Sequence, residues 1–365
     1  DWAKENEMEV DLYRDGLKIM TTIDSRLQMH AEEAVEGGMR NIQKSFEMKK
    51  SFFSKSKQLE VLSAITLQIQ PGETLGLVGE SGCGKSTLAR CVLKLLEPTS
   101  GSIKFEGRDI LSIPENELRS ARRHMQIVFQ DPYSSLNPRR CVGDIVKEGL
   151  DIHKIGTKAE RRDRVIQLLE AVGLKSSHLM SYPHEFSGGQ RQRIVIARAL
   201  AVGPKFVVAD EAVSALDVSI QAQILNLLLE LQREMNLTYL FVSHNLHVVR
   251  HVSDRVAVMY LGRIVETANA TEIYTNPKHP YTQALLSAAL LPEPGQRRRQ
   301  VPLGGDVPSP IVPPPGCAFR ARCPVAMKEC ATEDPALRFE GTHGVACWRS
   351  SAGAITPTSA ITTLR

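Results

Sequence analysis

The chain has 365 residues, 42% hydrophobic and 24% charged, and its 45 Lys and Arg against 41 Asp and Glu leave a net charge of +4. That length accommodates two or three domains with ample core, and so small a positive charge argues against nucleic acid as the main ligand. No apolar run approaches the about 18 residues of a membrane-spanning helix and there is no signal-peptide pattern, so membrane association is expected only through partners.

In chain order, residues 21–45 read as an amphipathic helix with Thr21 or Thr22 near its cap. An apolar run (Leu75, Leu77, Val78) then reads as a buried strand, and Leu88, Ala89, Val92 and Leu93 follow at helical spacing. Between them stands Gly79-Glu-Ser-Gly-Cys-Gly-Lys-Ser86, which fits G-x-x-x-x-G-K-[ST] in the strand-to-helix context that the pattern requires. Its glycines let backbone N–H groups turn toward phosphate oxygens at a helix N-terminus, where unpaired donors and the dipole favour anions. Lys85 would reach the β- and γ-phosphates and Ser86 would ligate Mg²⁺. The phosphate-binding set is thus Gly79, Glu80, Ser81, Gly82, Cys83, Gly84, Lys85, Ser86 and Thr87. For the loop taken alone, an ordinary Gly-rich turn stays open.

A mostly helical insert follows at about residues 134–186, in which Val165, Leu168, Leu169 and Val172 form an apolar stripe that reads as core. Ser187-Gly-Gly-Gln190 opens a second helix, carrying Ile194, Val195, Ile196, Ala197, Ala199 and Leu200. Phe206, Val207, Val208 and Ala209 are too short a run for a helix and read as a buried parallel strand. Asp210 ends that run, placed to hold the metal through water. Glu211 follows at the carboxyl edge, where ligands of open α/β sheets bind, as the general base that orients and deprotonates a water. His244 comes after a further apolar run, Leu240-Phe-Val-Ser243.

Toward the C-terminus, residues 292–316 contain eight prolines and read as a linker, and the run Arg297-Arg-Arg299 within it as solvated. Cys83, Cys91 and Cys141 are scattered and read as reduced thiols, with Cys83 open to alkylation. Cys317, Cys323, Cys330 and Cys347 instead cluster as C-x₅-C-x₆-C-x₁₆-C. Four thiolates in a small segment with little core suggest a metal staple; the spacing is not a zinc finger's, and a four-Cys set also suits [4Fe–4S]. Cluster, zinc and free thiols remain open, in that order.

Gly79–Ser86, Gln130, Ser187–Gln190, Phe206–Glu211 and His244, in this order, resemble the motifs of ABC ATPases. Gln130, in Val128-Phe-Gln-Asp-Pro-Tyr133, resembles the Q-loop that touches Mg²⁺ or water; Ser187-Gly-Gly-Gln190 the signature; Ser214-Ala-Leu-Asp217 the D-loop; and His244 the switch histidine. From about residue 48 to 350 the chain is similar to the F-type ATP-binding subunit of oligopeptide/dipeptide importers. The residues carrying this are Phe129-Gln-Asp-Pro-Tyr-Ser-Ser-Leu-Asn-Pro-Arg139, Val213-Ser-Ala-Leu-Asp-Val-Ser-Ile-Gln221, Arg255-Val-Ala-Val-Met-Tyr-Leu-Gly262 and Asn276-Pro-Lys-His-Pro-Tyr-Thr-Gln-Ala-Leu-Leu286.

The resemblance implies an α/β P-loop NTPase core (residues 48–290) with a helical subdomain, a linker (291–316), a Cys-rich C-terminal segment (317–350) and a tail (351–365). It implies Phe52 (or Phe53) stacking on adenine. Ser187, Gly188, Gly189 and Gln190 would cap the γ-phosphate of ATP held by a partner, and Asp217 would sit on the loop crossing to it. Implied partners are a second ABC ATPase subunit, usually of the D type, two membrane permease subunits and, indirectly, an external peptide-binding protein. The implied location is the cytoplasmic face of a bacterial membrane. Some members carry an iron–sulfur cluster at cysteines placed like these four. The chain departs from the family at Ala212, where Pro is usual, and at Asn245, where Asp is usual.

Residues 1–47 depart further. Asp11-Leu-Tyr-Arg-Asp-Gly-Leu-Lys-Ile-Met-Thr-Thr-Ile-Asp-Ser-Arg-Leu-Gln28, with Ala31-Glu-Glu-Ala-Val35, resembles a stretch of bifunctional penicillin-binding proteins. Ser54-Lys-Ser-Lys57 fits S-x-x-K and Ser135-Leu-Asn137 fits S-x-N, but no K-[ST]-G follows, so a transpeptidase is disfavoured. The reading expects a penicillin-binding fragment joined to an importer subunit, by gene fusion or faulty assembly, and Asp1 in place of Met also suggests a fragment. Two rivals are weighed: a soluble ABC protein of translation or repair, and an inert chimera.

Overall fold

The computed structural model of the chain describes residue 62, residues 65–289, residue 308 and residues 314–349. The readings on residues 1–47, on Phe52 and Phe53, on residues 54–57 and on residues 297–299 lie outside the described residues, as do most of the linker and the tail.

In chain order the strands are β1 (Thr74–Val78), β2 (Lys104–Phe105), β3 (Arg108–Asp109), β4 (Met125–Val128), β5 (Phe206–Asp210), β6 (Thr238–Ser243), β7 (Arg255–Tyr260), β8 (Arg263–Asn269), β9 (Arg338–Glu340) and β10 (His343–Val345). The helices are α1 (Lys85–Val92), α2 (Glu115–His124), α3 (Pro132–Ser135), α4 (Val142–Ile152), α5 (Lys158–Ala171), α6 (Gly188–Leu200), α7 (Val218–Met235), α8 (Leu246–Val252), α9 (Ala270–Thr275) and α10 (Pro280–Ala289).

The main sheet runs β4-β5-β6-β1-β7-β8-β10-β9. From β4 to β7 every pairing is parallel, and from β7 onward every pairing is antiparallel. The parallel strands read as unbroken apolar runs because both faces are covered. In β5, Phe206 and Val208 enter one core while Val207 and Ala209 enter the other; in β6, Leu240 and Val242 alternate in the same way with Tyr239 and Phe241. Period-two side-chain alternation thus divides two cores between the two sheet faces.

Between about residues 134 and 186 the elements are the end of α3, then α4 and α5, and α4 and α5 pack on each other and on α6. Thr157 starts α5 through a capping box with Glu160, and Val165, Leu168 and Leu169 bury the stripe. In α6, Ile194, Val195, Ile196, Ala197, Ala199 and Leu200 are all buried.

The Cys-rich segment is built into the same compact unit as the ATPase core. Its hairpin, β9 and β10, extends the main sheet, since β10 pairs antiparallel with β8 through Gly344 opposite Thr267 and Val345 opposite Glu266. Phe319 is 2% exposed, with ring centroids 5.3 Å from Tyr260 and 5.4 Å from Tyr281. Glu266, fully buried, accepts the Lys278 N–H at 2.7 Å and the His279 N–H at 3.0 Å, and pairs with His343 Nε2 at 2.7 Å. A buried carboxylate with three partners ties β8, the turn before α10 and β10 together.

Candidate functional site

Four parallel strands stop level with one another. Val78 of β1 lies opposite Ser243 of β6, Val242 of β6 opposite Asp210 of β5, and Ala209 of β5 opposite Val128 of β4. Gly79 follows β1, Gln130 comes two residues after β4, Asp210 ends β5 with Glu211 next, and His244 follows β6. Strand register, set by the buried apolar pattern, therefore lines up these residues at the carboxyl edge.

The Gly-rich loop closes onto α1. A Cβ at Gly79 would stand 2.2 Å from the Met259 carbonyl oxygen, so no other residue fits without moving backbone. The Cys83 carbonyl accepts the Gly262 N–H at 2.8 Å, which pins the loop to the turn between β7 and β8. Lys85 is 5% exposed, and its Nζ donates to the carbonyls of Gly79 (2.8 Å) and Glu80 (3.0 Å). Burial pushes the Cys83 thiol up, with neighbouring Lys85 offsetting part of the shift, so the thiol is poorly nucleophilic.

Ser86 Oγ donates to Asp210 Oδ1 at 2.9 Å, joining two residues 124 positions apart. Burial also raises the Asp210 carboxyl pKa, opposed by the Ser86 hydroxyl. Beside it, Glu211 adopts φ 50°, a left-handed conformation that costs a non-Gly residue roughly 1–2 kcal/mol. The turn is held by bonds on both sides: the Glu211 N–H donates to the Val242 carbonyl, and the Glu211 carbonyl accepts from the Ser214 N–H and hydroxyl, each at 3.0 Å. In this pose each carboxylate oxygen has one side-chain partner. Gln130 Nε2 donates to Oε2 at 3.0 Å, and His244 Nδ1 lies 3.2 Å from Oε1.

The structure thus brings Gln130, Glu211 and His244 into one constellation, with Ser86 and Asp210 joined beside it. Ser187 and Gln190 bond to each other instead: Ser187 Oγ accepts the Gln190 N–H at 3.3 Å, and Gln190 Oε1 accepts the Ser187 N–H at 3.0 Å. Gly189 packs where a Cβ would come 2.5 Å from Ile220 Cγ2, at the start of α7. Asp217 caps α7 by accepting the Ile220 N–H at 2.9 Å. Asn245 caps α8, its Oδ1 accepting from His247 N–H at 3.0 Å, a task Asn performs as well as Asp. Ala212 is buried.

Two contacts to the loop had no signal in the motifs. The Glu80 N–H donates to Tyr281 Oη at 2.9 Å, and the Glu80 carboxylate takes both Arg322 guanidinium nitrogens, at 2.6 and 2.9 Å. Tyr281 lies in a run that resembles the importer family, but Arg322 is 242 residues from Glu80 and only the fold joins them.

Cys317, Cys323, Cys330 and Cys347 line one cavity of about 10 Å³, with His279 and Phe319 also in its wall. Burial pushes the Cys317 and Cys323 thiols up, and the neighbouring sulfurs add to the shift. Such a cavity has room for about one water, and among the described residues no three His, Cys, Asp or Glu side chains are arranged to hold one ion. The donors suit a thiolate-bound metal, and the side chains as they stand leave room for little more than a water between them.

Among the described residues no helix is long and apolar enough to cross a membrane. Residues 62–214 match the model of the ABC transporter family, and residues 265–330 that of the oligopeptide/dipeptide transporter C-terminal region. The dipeptide transport ATP-binding protein DppF of Escherichia coli is 46% identical over 329 residues, covering 90% of this chain and 97% of that protein. The oligopeptide transport ATP-binding protein AppF of Bacillus subtilis is 50% identical over 314 residues, covering 85% and 95%. Among solved structures, the dimeric post-hydrolysis state of the ATP-binding cassette MJ0796 bound to ADP and Pi matches with a TM-score of 0.52 at 30% identity, covering 57% of this chain and 90% of that one.

Proposed function

Because this chain belongs to the ABC transporter family, we propose that it is the ATP-binding and ATP-hydrolysing subunit that powers import of di- and oligopeptides through a membrane permease. The observation that carries the chemistry is the Glu211 carboxylate, seated between Gln130 and His244 at the line where four strands end. The peptide cargo is supported by the relatives named for oligopeptide and dipeptide transport and by the match over residues 265–330.

In this reading N–H groups of residues 81–86 cradle the triphosphate and Lys85 exchanges its two loop carbonyls for phosphate oxygens. Ser86 and Asp210, already bonded to each other, would hold Mg²⁺, which when bound neutralises charge on the β- and γ-phosphate oxygens. Glu211 accepts the proton of the attacking water. Gln130 and His244 fix the carboxylate so that it is oriented before the water arrives.

Ser187, Gly188, Gly189 and Gln190 open α6, a thirteen-residue helix whose N-terminus offers anion-binding donors. Across a closed dimer that end would cap the γ-phosphate of the other subunit's ATP, with Asp217 on the loop beside it. The dimeric ADP-bound cassette supports two subunits closing together. The partner subunit would be a second ABC ATPase, the pair would dock on two permease subunits at the cytoplasmic face of the membrane, and an external binding protein would deliver peptide. Phe52 is assigned to adenine stacking.

The four C-terminal cysteines are assigned to one ligand set, for a [4Fe–4S] cluster ahead of zinc. Their sharing of one cavity supports this and its small volume opposes it. Iron, sulfide and zinc content of chain purified without oxygen distinguishes cluster, zinc and bare thiols, and the last result contradicts the assignment.

The functional test is peptide uptake and peptide-dependent ATP hydrolysis by the assembled transporter in vesicles. Uptake that needs ATP and disappears with Glu211→Gln is expected. ATP hydrolysis indifferent to every peptide, with no uptake, would overturn the cargo assignment while leaving the ATPase intact.

A further inference from the structure

The Arg322 side chain joins the C-terminal segment to the phosphate loop. Arg322 is held in a short helical turn (Arg320–Arg322) between Cys317 and Cys323. The turn is closed by the Arg320 N–H on the Cys317 carbonyl (3.0 Å), the Arg322 N–H on the Phe319 carbonyl (3.0 Å) and the Cys323 N–H on the Arg320 carbonyl (3.2 Å). From there the guanidinium, whose side chain is 5% exposed, grips both oxygens of Glu80 and lies 3.5 Å from Tyr260 Oη. The fork-on-carboxylate arrangement is the strong, orienting form of an ion pair. It also fixes where the carboxylate points, because the Glu80 N–H is separately committed to Tyr281 Oη.

Glu80 is an awkward residue for a loop that receives a polyanion. Its carboxylate stands one residue from Gly79 and within the field of a bound triphosphate, where like charges repel strongly in a partly buried setting. Cys83, Lys85 and Ser86 supply the loop with a single formal cation, Lys85, to meet the phosphates.

We propose that Arg322 is a positioning residue for nucleotide binding. It neutralises Glu80 and holds it away from the phosphates, so that the Cys-rich turn acts in cis on the affinity of the loop for ATP. This rests on the reading of residues 81–86 as the triphosphate cradle. It adds a consequence for the thiols: whatever displaces Cys317 or Cys323 moves Arg322 and weakens ATP binding.

The test is the dissociation constant for Mg·ATP, measured by calorimetry on the full chain, with the nucleotide-free melting temperature as the check on folding. Arg322→Ala should weaken binding at least fivefold. Arg322→Lys, which keeps the charge, should stay within about threefold, and Glu80→Gln alone, which removes the repelling carboxylate and keeps the Arg322 cation, should bind Mg·ATP more tightly than the unaltered chain, by about twofold or more. The deciding variant is Glu80→Gln with Arg322→Ala, in which no carboxylate remains to repel the phosphates. Its affinity should return to within twofold of the unaltered chain. If Arg322→Ala folds and binds normally, or if the double variant stays as weak as the single one, the proposal fails. Should Arg322→Ala not fold, a fivefold weakening by Glu80→Gln alone would overturn it equally. An unaltered chain that binds no Mg·ATP would instead sink the phosphate-cradle reading itself.

Discussion

Two stretches of the same sheet hold their polar groups in opposite ways. Where β4, β5, β6 and β1 end, the His244 side chain is 55% exposed and that of Glu211 17%; Lys85 is buried and bonded to groups of its own loop, the Gly79 and Glu80 carbonyls and Cys83 Sγ. Where β8 meets β10, the Glu266 side chain is fully buried, and it is satisfied by two backbone N–H groups and His343. At the first edge, a ligand can replace each bond with one of its own. At the second, nothing outside the protein can reach the bonds, so they stabilise the fold. In the proposed function the first edge is a site because its partners are exchangeable; the second is a latch because they are not.

The comparison is sharpest at Glu266. Glu266→Ala should destabilise the chain by about 3–5 kcal/mol, since it strands two backbone donors and a buried His343. Urea denaturation should show this as a lower midpoint at unchanged slope. A stable variant with impaired ATP hydrolysis would reverse the roles given to the two edges.

Lys85→Ala should do the opposite. Losing charge-assisted bonds to phosphate weakens Mg·ATP binding by about a hundredfold, while the urea midpoint moves little. Nucleotide titration of the folded variant checks both halves of that statement.

At Asn245 the effect should be smallest. Asn245→Asp restores the residue usual in the family, yet the cap on α8 needs only a side-chain oxygen. Stability should change by less than about 0.5 kcal/mol and hydrolysis by less than about twofold. A large rise in hydrolysis would mean that position 245 takes part in the chemistry.

The two edges also differed in how far they could be read in advance. Each working residue of the parallel edge follows an apolar run in the sequence, so Gly79, Asp210, Glu211 and His244 declare themselves by position. What the sequence withheld was register: nothing local states that Val78 lies level with Ser243, or Asp210 with Val242. Those pairings come from side-chain periodicity summed over the whole sheet.

The antiparallel edge was harder. Residues 338–345 contain Arg338, Glu340 and His343 and only three-residue strands, too short to show alternation, so the region read as a small cysteine-bearing segment with little core. The pair of Arg322 with Glu80 spans 242 residues and no periodic signal points to it. Long-range polar contacts of this kind are set by the fold and are invisible to pattern.

The most direct test of the site is phosphate release from Mg·ATP by the unaltered chain and by Glu211→Gln, each with a second ABC ATPase subunit and with bound nucleotide measured in parallel. Steady release that falls by about a hundredfold or more in the variant, with ATP still bound, is the predicted result. Equal rates from the two chains would contradict the placement of the general base at Glu211.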